Sequence, residues 1–429
     1  MSAIFGLDFG TSNSAISANI DGKVELVNLD STAAIPMSLK SVLYFYREER
    51  KTESYAGYEA VEKYMENEGE GRFMQSIKTF LPHKTFQKTD IYNKSHSLEE
   101  LTALIIKAVK SRAEKTLGRE IKDVVMGRPV VFSPEPEADA LAEERLTRAA
   151  KLAGFENIVY QLEPIAAAFS YENSLEAGRE KKVLVGDFGA GTSDFTIVKC
   201  RRGGNPTSDR KEDVLSVSGV DFGGDVFDSK IMWEKVCQYF GKGIKAKSQM
   251  SGNEFEISPI IMRQLRRWHL IPQLRRPQSL KSIEEFKHSL TSLRQRKIIE
   301  NLENLIHFNY GYKLFRSIEA AKCELSSAPD SWVRFKDYGI EIEEAVSRAE
   351  FEDYLVGEAK RIDGCINACL ADAGLKSSDI DTVFLTGGSS HIPLIRNVFE
   401  TKFGPEMVRQ SDAFTSVAFG LGLYGNHLL

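Results

Sequence analysis

An α/β fold made from two copies of one unit, three strands followed by helices, with an insertion in each copy, is what this 429-residue sequence predicts. Three observations lead there. Asp8-Phe9-Gly10 closes an apolar run near the N-terminus, and Asp187-Phe188-Gly189 closes another 179 positions on. Each is followed by a short turn of Gly, Ser and Thr and then by a second apolar strand. Segments of strand and helix character alternate along the chain, the rhythm of a sheet covered by helices.

The elements follow in order. "IFGLDF" is a buried strand, Gly10 to Ser14 a tight polar turn, and "AISANI" the return strand; Asp21-Gly22 is a type I′ hairpin signal leading into "KVELVNL". "LEELTALIIKAVKSRAEKTLG" carries apolar residues at helical spacing, "DVVMGRPVVF" reads as a buried strand over 123–132, and "AEERLTRAAKLAGF" as a helix stopped by Gly154. "IVYQLEPIAAAFSYE" passes from strand to helix through Glu163-Pro164. The second copy repeats the opening with "KVLVGDFG", the turn "AGTSD" and the strand "FTIVKC". Helices "SIEAAKCELSSA" and "SRAEFEDYLVGEAKRIDGCINACLADAGL", strand "DTVFLTGG" and helix "PLIRNVFETKFG" complete it. Residues 38–118 and 229–345 depart from this rhythm and read as the insertions.

Composition narrows the class. With 42% hydrophobic and 27% charged residues the chain has the balance of a globular protein with a sizeable core, and a net charge of −5 gives no global footprint for nucleic acid or an anionic membrane. No apolar run reaches a membrane span, and a strand beginning at Ile4 leaves no room for a signal peptide, so a cytoplasmic location is expected. Five cysteines at 200, 237, 323, 365 and 369 lack disulfide or metal spacing and fit a reducing compartment.

The turns carry the chemistry. A short turn leaving a buried strand offers consecutive backbone N–H groups to an oxyanion, and Thr and Ser hydroxyls add donors. An Asp at the strand end before each turn can hold the water shell of Mg²⁺, which takes few direct protein ligands. Asp8 and Asp187 are therefore the metal candidates; a third Asp-Phe-Gly stands at Asp221. A protein-kinase reading of these letters fails, because that signature needs a Gly-rich loop, a V-A-I-K strand and an H-R-D loop in a fixed order, none of which is present.

The segments "IFGLDFGTSNS", "QSIKTFL", "QLEPIAAAFSYE", "VGDFGAGTSDFTI", "GVDFGGDVFD", "EAAKCELSSA" and "FLTGGSSHIPLIRNVF" occur in that order, and across nearly the whole chain they resemble the ATPase domain of the seventy-kilodalton heat-shock chaperone family. With Gly127-Arg128-Pro129 ending a strand, the chain looks most like the short, YegD-like members. The resemblance implies the actin-like ATPase fold, with duplicated ribonuclease H-like lobes. Lobe I would be residues 1–183 and lobe II 184–407, with a C-terminal helix in 408–429 returning to lobe I.

The same resemblance implies ATP or ADP with Mg²⁺ as the ligand. It puts Gly10, Thr11, Ser12 and Asn13 in a first phosphate turn, Gly189, Ala190, Gly191 and Thr192 in a second, and Gly223, Gly224 and Asp225 in a third. Glu319, Lys322, Cys323 and Ser326 would line the ribose and adenine, with Gly387, Gly388, Ser389 and His391 beneath the nucleotide. Asp8 and Asp187 would hold Mg²⁺ through water. Lys78 would face the γ-phosphate, and Glu163 with Thr192 would orient the attacking water. Departures from the family pattern are Ala190 in place of Gly, which requires a φ below zero, Cys323 and His391 in place of arginines, and Phe414 in place of an acidic residue, with Asp412 two positions off.

The function expected is an ATP-binding, slowly hydrolysing, chaperone-like protein whose nucleotide state opens and closes a cleft to regulate a protein partner. A small-molecule kinase and an actin-like filament protein of the same superfold are the alternatives. No peptide-binding domain is expected within the chain. From Arg263 to Lys297, ten Lys or Arg stand against Glu284 and Glu285, a local net of +8 that offers a surface to an acidic protein, a solvated helix face being the competing reading.

Overall fold

A computed structural model describes the chain outside residues 1–2, 32–34, 50, 68, 173–174, 176–177, 202–209, 248–251, 411–415 and 429, and outside the side chain at 170. Phe414 and Asp412 lie outside the described residues. The first sheet contains β1 (Ala3–Phe9), β2 (Asn13–Ile20), β3 (Lys23–Leu26), β4 (Asp123–Arg128) and β5 (Asn157–Leu162) in the order β5-β4-β1-β2-β3, and Ser38–Lys40 also pairs with β2. β1 runs antiparallel to β2 and parallel to β4. The β2–β3 turn takes positive φ at both Asp21 (51°) and Gly22 (86°), as a type I′ hairpin requires.

The second sheet repeats this plan with β6 (Glu180–Phe188), β7 (Ser193–Arg201), β8 (Val214–Val220), β9 (Thr382–Thr386) and β10 (Val408–Gln410) in the order β8-β7-β6-β9-β10. β6 is antiparallel to β7 and parallel to β9, as β1 is to β2 and β4. The duplication read from the sequence is thus a duplication of topology. Within 408–429 the described helix is Ser416–Gly425, because 408–410 extend the second sheet.

Helices Glu163–Glu172 and Ser416–Gly425 share one apolar cluster with strands of both sheets: Ile165, Ala166 and Leu421 meet Ile4 and Val125 of the first and Val183, Val185 and Val198 of the second. Polar clamps fix the last helix on β2, with Ser17 Oγ donating to the Ala418 carbonyl at 2.6 Å and Asn19 Nδ2 to the Gly422 carbonyl at 2.8 Å. The other face of β1 places Phe5, Leu7 and Phe9 against helices Leu98–Leu117 and Pro136–Leu152. Because strand side chains alternate, Asp8 shares a face with Ile4, and Asp187 with Val183 and Val185. Both carboxylates therefore turn toward the shared cluster side of their sheets.

Two expectations change. The strand expected over 123–132 stops at Arg128, since Pro129 brings no N–H to a ladder and the Arg128 guanidinium turns aside to Asp139 Oδ2 at 2.8 Å and to Glu143. The following helix starts six residues earlier than its apolar periodicity suggests, at Pro136, whose fixed φ suits a first helical turn.

By contact density the chain forms two compact units, Met1–Asp221 with Arg361–Ser390 and Ile395–Leu429, and Phe222–Lys360 with His391–Leu394. The six-stranded and the five-stranded sheet both lie in the first, which also carries a small sheet of Val42–Glu48, Lys51–Ala56 and Arg72–Gln75. The second contains helices Gly224–Ile231, Pro259–Leu265, Pro277–His288, Leu293–His307 and Gly311–Leu325 and the hairpin Asp330–Asp337 with Ile340–Ser347.

Candidate functional site

In the first unit, β1 and β6 each carry an Asp one residue before their last. The turn after β1 is tight: a Cβ on Gly10 would stand 2.2 Å from the Asn13 carbonyl oxygen, so no side chain fits. Ser41 holds this turn, its N–H donating to the Ser12 carbonyl at 2.8 Å while its hydroxyl meets Ser14 Oγ at 2.8 Å. In the turn after β6, Ala190 is absent from the residues with positive φ, so its methyl group is accommodated. Thr192 is exposed and donates to Asp194 Oδ2 at 3.1 Å. Register sets Asp194 opposite Asp187 across β6–β7 and Thr386 beside Asp187 across β6–β9, and Gly387, Gly388 and Ser389 continue from there.

Lys78 reaches this group from a short 3₁₀ turn, Ile77–Phe80. Its ammonium lies 2.8 Å from Oε1 of Glu163, with only 10% and 16% of the two side chains exposed. Glu163 opens the helix after β5, and the backbone of β4 leaves it room: a Cβ on Gly127 would come within 3.2 Å of Glu163 Cγ and of Leu421 Cδ1. That contact gives the Gly127-Arg128-Pro129 segment its glycine.

One cation thus faces several carboxylates. Burial, then the Glu163 charge, push Asp8 up to about 8 and Asp187 up to about 7, with Lys78 pulling both back. Burial alone would lower Lys78, but the charges of Glu163 and Asp8 outweigh it and keep the ammonium protonated. Buried carboxylate oxygens short of positive charge are a hard-oxygen donor set that fits Mg²⁺. No three His, Cys, Asp or Glu side chains among the described residues stand close enough to enclose a metal ion. A small cleft of about 50 Å³ is lined by Glu163, Asp187 and Asp194 together with Val130, Val131, Val217 and Val417.

The remaining candidates group in the second unit. Gly223 and Gly224 open the helix Gly224–Ile231, and Asp225 is exposed on its first turn. Lys322, on the helix Gly311–Leu325, lies 2.8 Å from Asp228 Oδ1 and 3.5 Å from the Gly224 carbonyl, so two of the predicted stretches meet through this ammonium. Glu319 sits one turn before it, Cys323 is exposed beside it, and Ser326 caps the helix end. His391 is exposed and belongs to the same unit.

Two things differ from the sequence reading. Asp228 was not singled out, although it follows Gly224 by one helical turn; burial, opposed by the Lys322 charge, lifts it to about 6. The third Asp-Phe-Gly is a likeness of letters: Asp221 lies outside any strand, its side chain is 87% exposed, and it pairs with Arg361 at 2.5 Å, which holds its carboxyl below the usual range.

Two Asp-ended strands, each running into a glycine turn, with the Lys78–Glu163 ion pair beside them, form one charged group on a duplicated α/β scaffold. The comparison with known families agrees. A family model described as Hsp70 protein matches residues 4–258 and 287–428, and the chain belongs to the Hsp70 family. The fold is accordingly the actin-like ATPase fold of that family. Among curated relatives, the chain is similar to a "Chaperone protein DnaK" of Thermosipho melanesiensis, 27% identical over 431 residues. That alignment takes in 98% of this chain and 58% of the relative's length.

Proposed function

We propose that this chain binds ATP with Mg²⁺ and hydrolyses it slowly, and that its nucleotide state regulates a protein partner, with residues 1–183 and 184–407 as its lobes. The observation that carries this reading is the Lys78–Glu163 pair set among Asp8 and Asp187. Phosphoryl transfer to water asks a protein chiefly to place a water in line and to neutralise the equatorial oxygens. Lys78 supplies a fixed positive charge for the γ-phosphate. Glu163 would accept a hydrogen bond from the attacking water, and the Thr192 hydroxyl, now spent on Asp194, would help orient it. The turns after β1 and β6 present their N–H groups to the β- and γ-phosphates. Asp8 and Asp187 would hold the hydrated Mg²⁺, which when bound offsets phosphate charge. Lys322, Glu319 and Ser326 would take the ribose and adenine.

For the partner, the basic segment offers fewer free charges than its composition suggests. Lys281, Lys287 and Lys297 pair with Glu285, Glu303 and Glu300, and Arg266, Arg275 and Arg296 are engaged with Ser229, the carbonyls of 306 and 307, and Leu290. Arg263, Arg267, Arg276 and Arg294 have no partner among the described residues, and these would meet an acidic protein.

The test is phosphate release from ATP by the purified chain, with and without Mg²⁺. Release with ATP alone supports the proposal. Release only after adding a sugar or another acceptor would replace it with a small-molecule kinase, and ATP-dependent pelleting would replace it with a filament protein.

A further inference from the structure

The turn that presents Lys78 is too short to hold itself. Four residues of 3₁₀ helix have few internal hydrogen bonds of poor geometry. Its N-terminal side is unfavourable as well: Ser76 takes φ 56° and ψ 33°, a left-handed conformation that residues other than glycine rarely adopt. Ile77 and Leu81 anchor the turn in the apolar core, yet apolar contact is non-directional and does not fix where the next side chain points.

What fixes it comes from another helix. Arg145, on Pro136–Leu152 and only 5% exposed, sends Nη1 to the carbonyl oxygens of Leu81 at 2.9 Å, His83 at 3.0 Å and Phe80 at 3.5 Å. Its Nε faces Glu99 Oε1 at 3.6 Å, in the first turn of helix Leu98–Leu117. A buried guanidinium is costly unless its donors are met; here Nη1 finds the backbone that leaves the Lys78 turn, while Nε makes no hydrogen bond and has only the Glu99 charge beside it. The same turn leads at its other end to the ammonium 2.8 Å from Glu163.

We infer that Arg145 is a positioning residue for phosphoryl transfer: by gathering the carbonyls of 80, 81 and 83 it sets the turn that aims Lys78 at the γ-phosphate. This rests on the reading of Lys78 given above. It touches neither nucleotide nor metal, so its removal should slow the chemical step and leave ADP binding in place. A misplacement of about 1 Å in such a group costs about 100-fold in rate.

The experiment compares parent, Lys78→Ala, Arg145→Met, Arg145→Lys and the double variant Lys78→Ala/Arg145→Met, each by single-turnover ATP hydrolysis, by affinity for a fluorescent ADP analogue, and by hydrogen exchange of residues 76–83. The expected result is a loss of about 10- to 100-fold in hydrolysis for Arg145→Met with ADP affinity within about 3-fold of parent. Arg145→Lys, which keeps a donor for those carbonyls, recovers part of the loss. Exchange rises over 76–83, and the double variant is no slower than Lys78→Ala. If Lys78→Ala is inactive while Arg145→Met hydrolyses at the parent rate, Arg145 has no such role and Lys78 keeps its own. If Lys78→Ala hydrolyses at the parent rate, the Lys78 reading fails and this inference with it. Loss of ADP binding in both Arg145 variants would assign the residue to fold stability and overturn the positioning role.

Discussion

The Lys78 ammonium lies 2.8 Å from Glu163 Oε1, joining residues 85 positions apart in a setting from which most water is excluded. One residue comes from a 3₁₀ turn and the other from the start of a helix, so neither can be replaced by a neighbour on its own element.

Lys78→Ala should therefore lower hydrolysis by at least about 100-fold, the scale of losing one preorganised charge-stabilising donor, while ADP affinity changes little. Glu163→Gln keeps the shape but not the charge and should also slow the reaction. Single-turnover hydrolysis with ADP titration checks both, and a Lys78→Ala variant working at the parent rate would remove the assignment.

Gly127→Ala tests the room left for Glu163. The added methyl would meet Glu163 Cγ and Leu421 Cδ1 at 3.2 Å, closer than ordinary van der Waals contact, so the glutamate must shift by a few tenths of an ångström. Hydrolysis should fall by about 3- to 10-fold at unchanged ADP affinity, because rate is more sensitive than binding to the placement of a reacting group. Equal rates would mean that Glu163 does not depend on this contact.

Asp228 predicts a pH dependence. Its folded value of about 6 lies above its ordinary value of 3.8, so between these the folded state holds more protons than the unfolded chain. Stability contributed by this group is then fully present at low pH and falls as pH rises toward about 6. Asp228→Asn lacks the effect. The melting temperature of the parent, taken relative to that variant at each pH, should decline from about pH 5 to about pH 6 and be level near pH 7. A constant difference would show that Asp228 titrates as an ordinary aspartate.

For the partner, charge reversal at Arg263, Arg267, Arg276 and Arg294 together should weaken a captured complex more than reversal of Lys281, Lys287 and Lys297, whose charge is already offset by glutamates. Binding that is unaffected by salt and by both sets of changes would exclude an electrostatic docking surface on this segment.

The alternation of apolar residues, Asp21-Gly22, and the repeated Asp-Phe-Gly with its polar turn were enough to read both strand meanders, because these are local: side-chain period, turn chirality and hydrophobic run need no distant partner. Parity along β1 and β6 likewise sends Asp8 and Asp187 to the sides bearing the shared apolar cluster. The early stop of β4 was not legible, since it depends on Arg128 finding Asp139 and Glu143 on the next helix. Nor was the role of Asp228, whose pairing with Lys322 spans 94 residues. Arg145 shows the limit most clearly: in sequence it is one arginine on a helix face, where solvation is the ordinary state. Tertiary structure removes its water and offers it three carbonyls and a glutamate instead, and a buried charge must take the partners that the surrounding chain supplies.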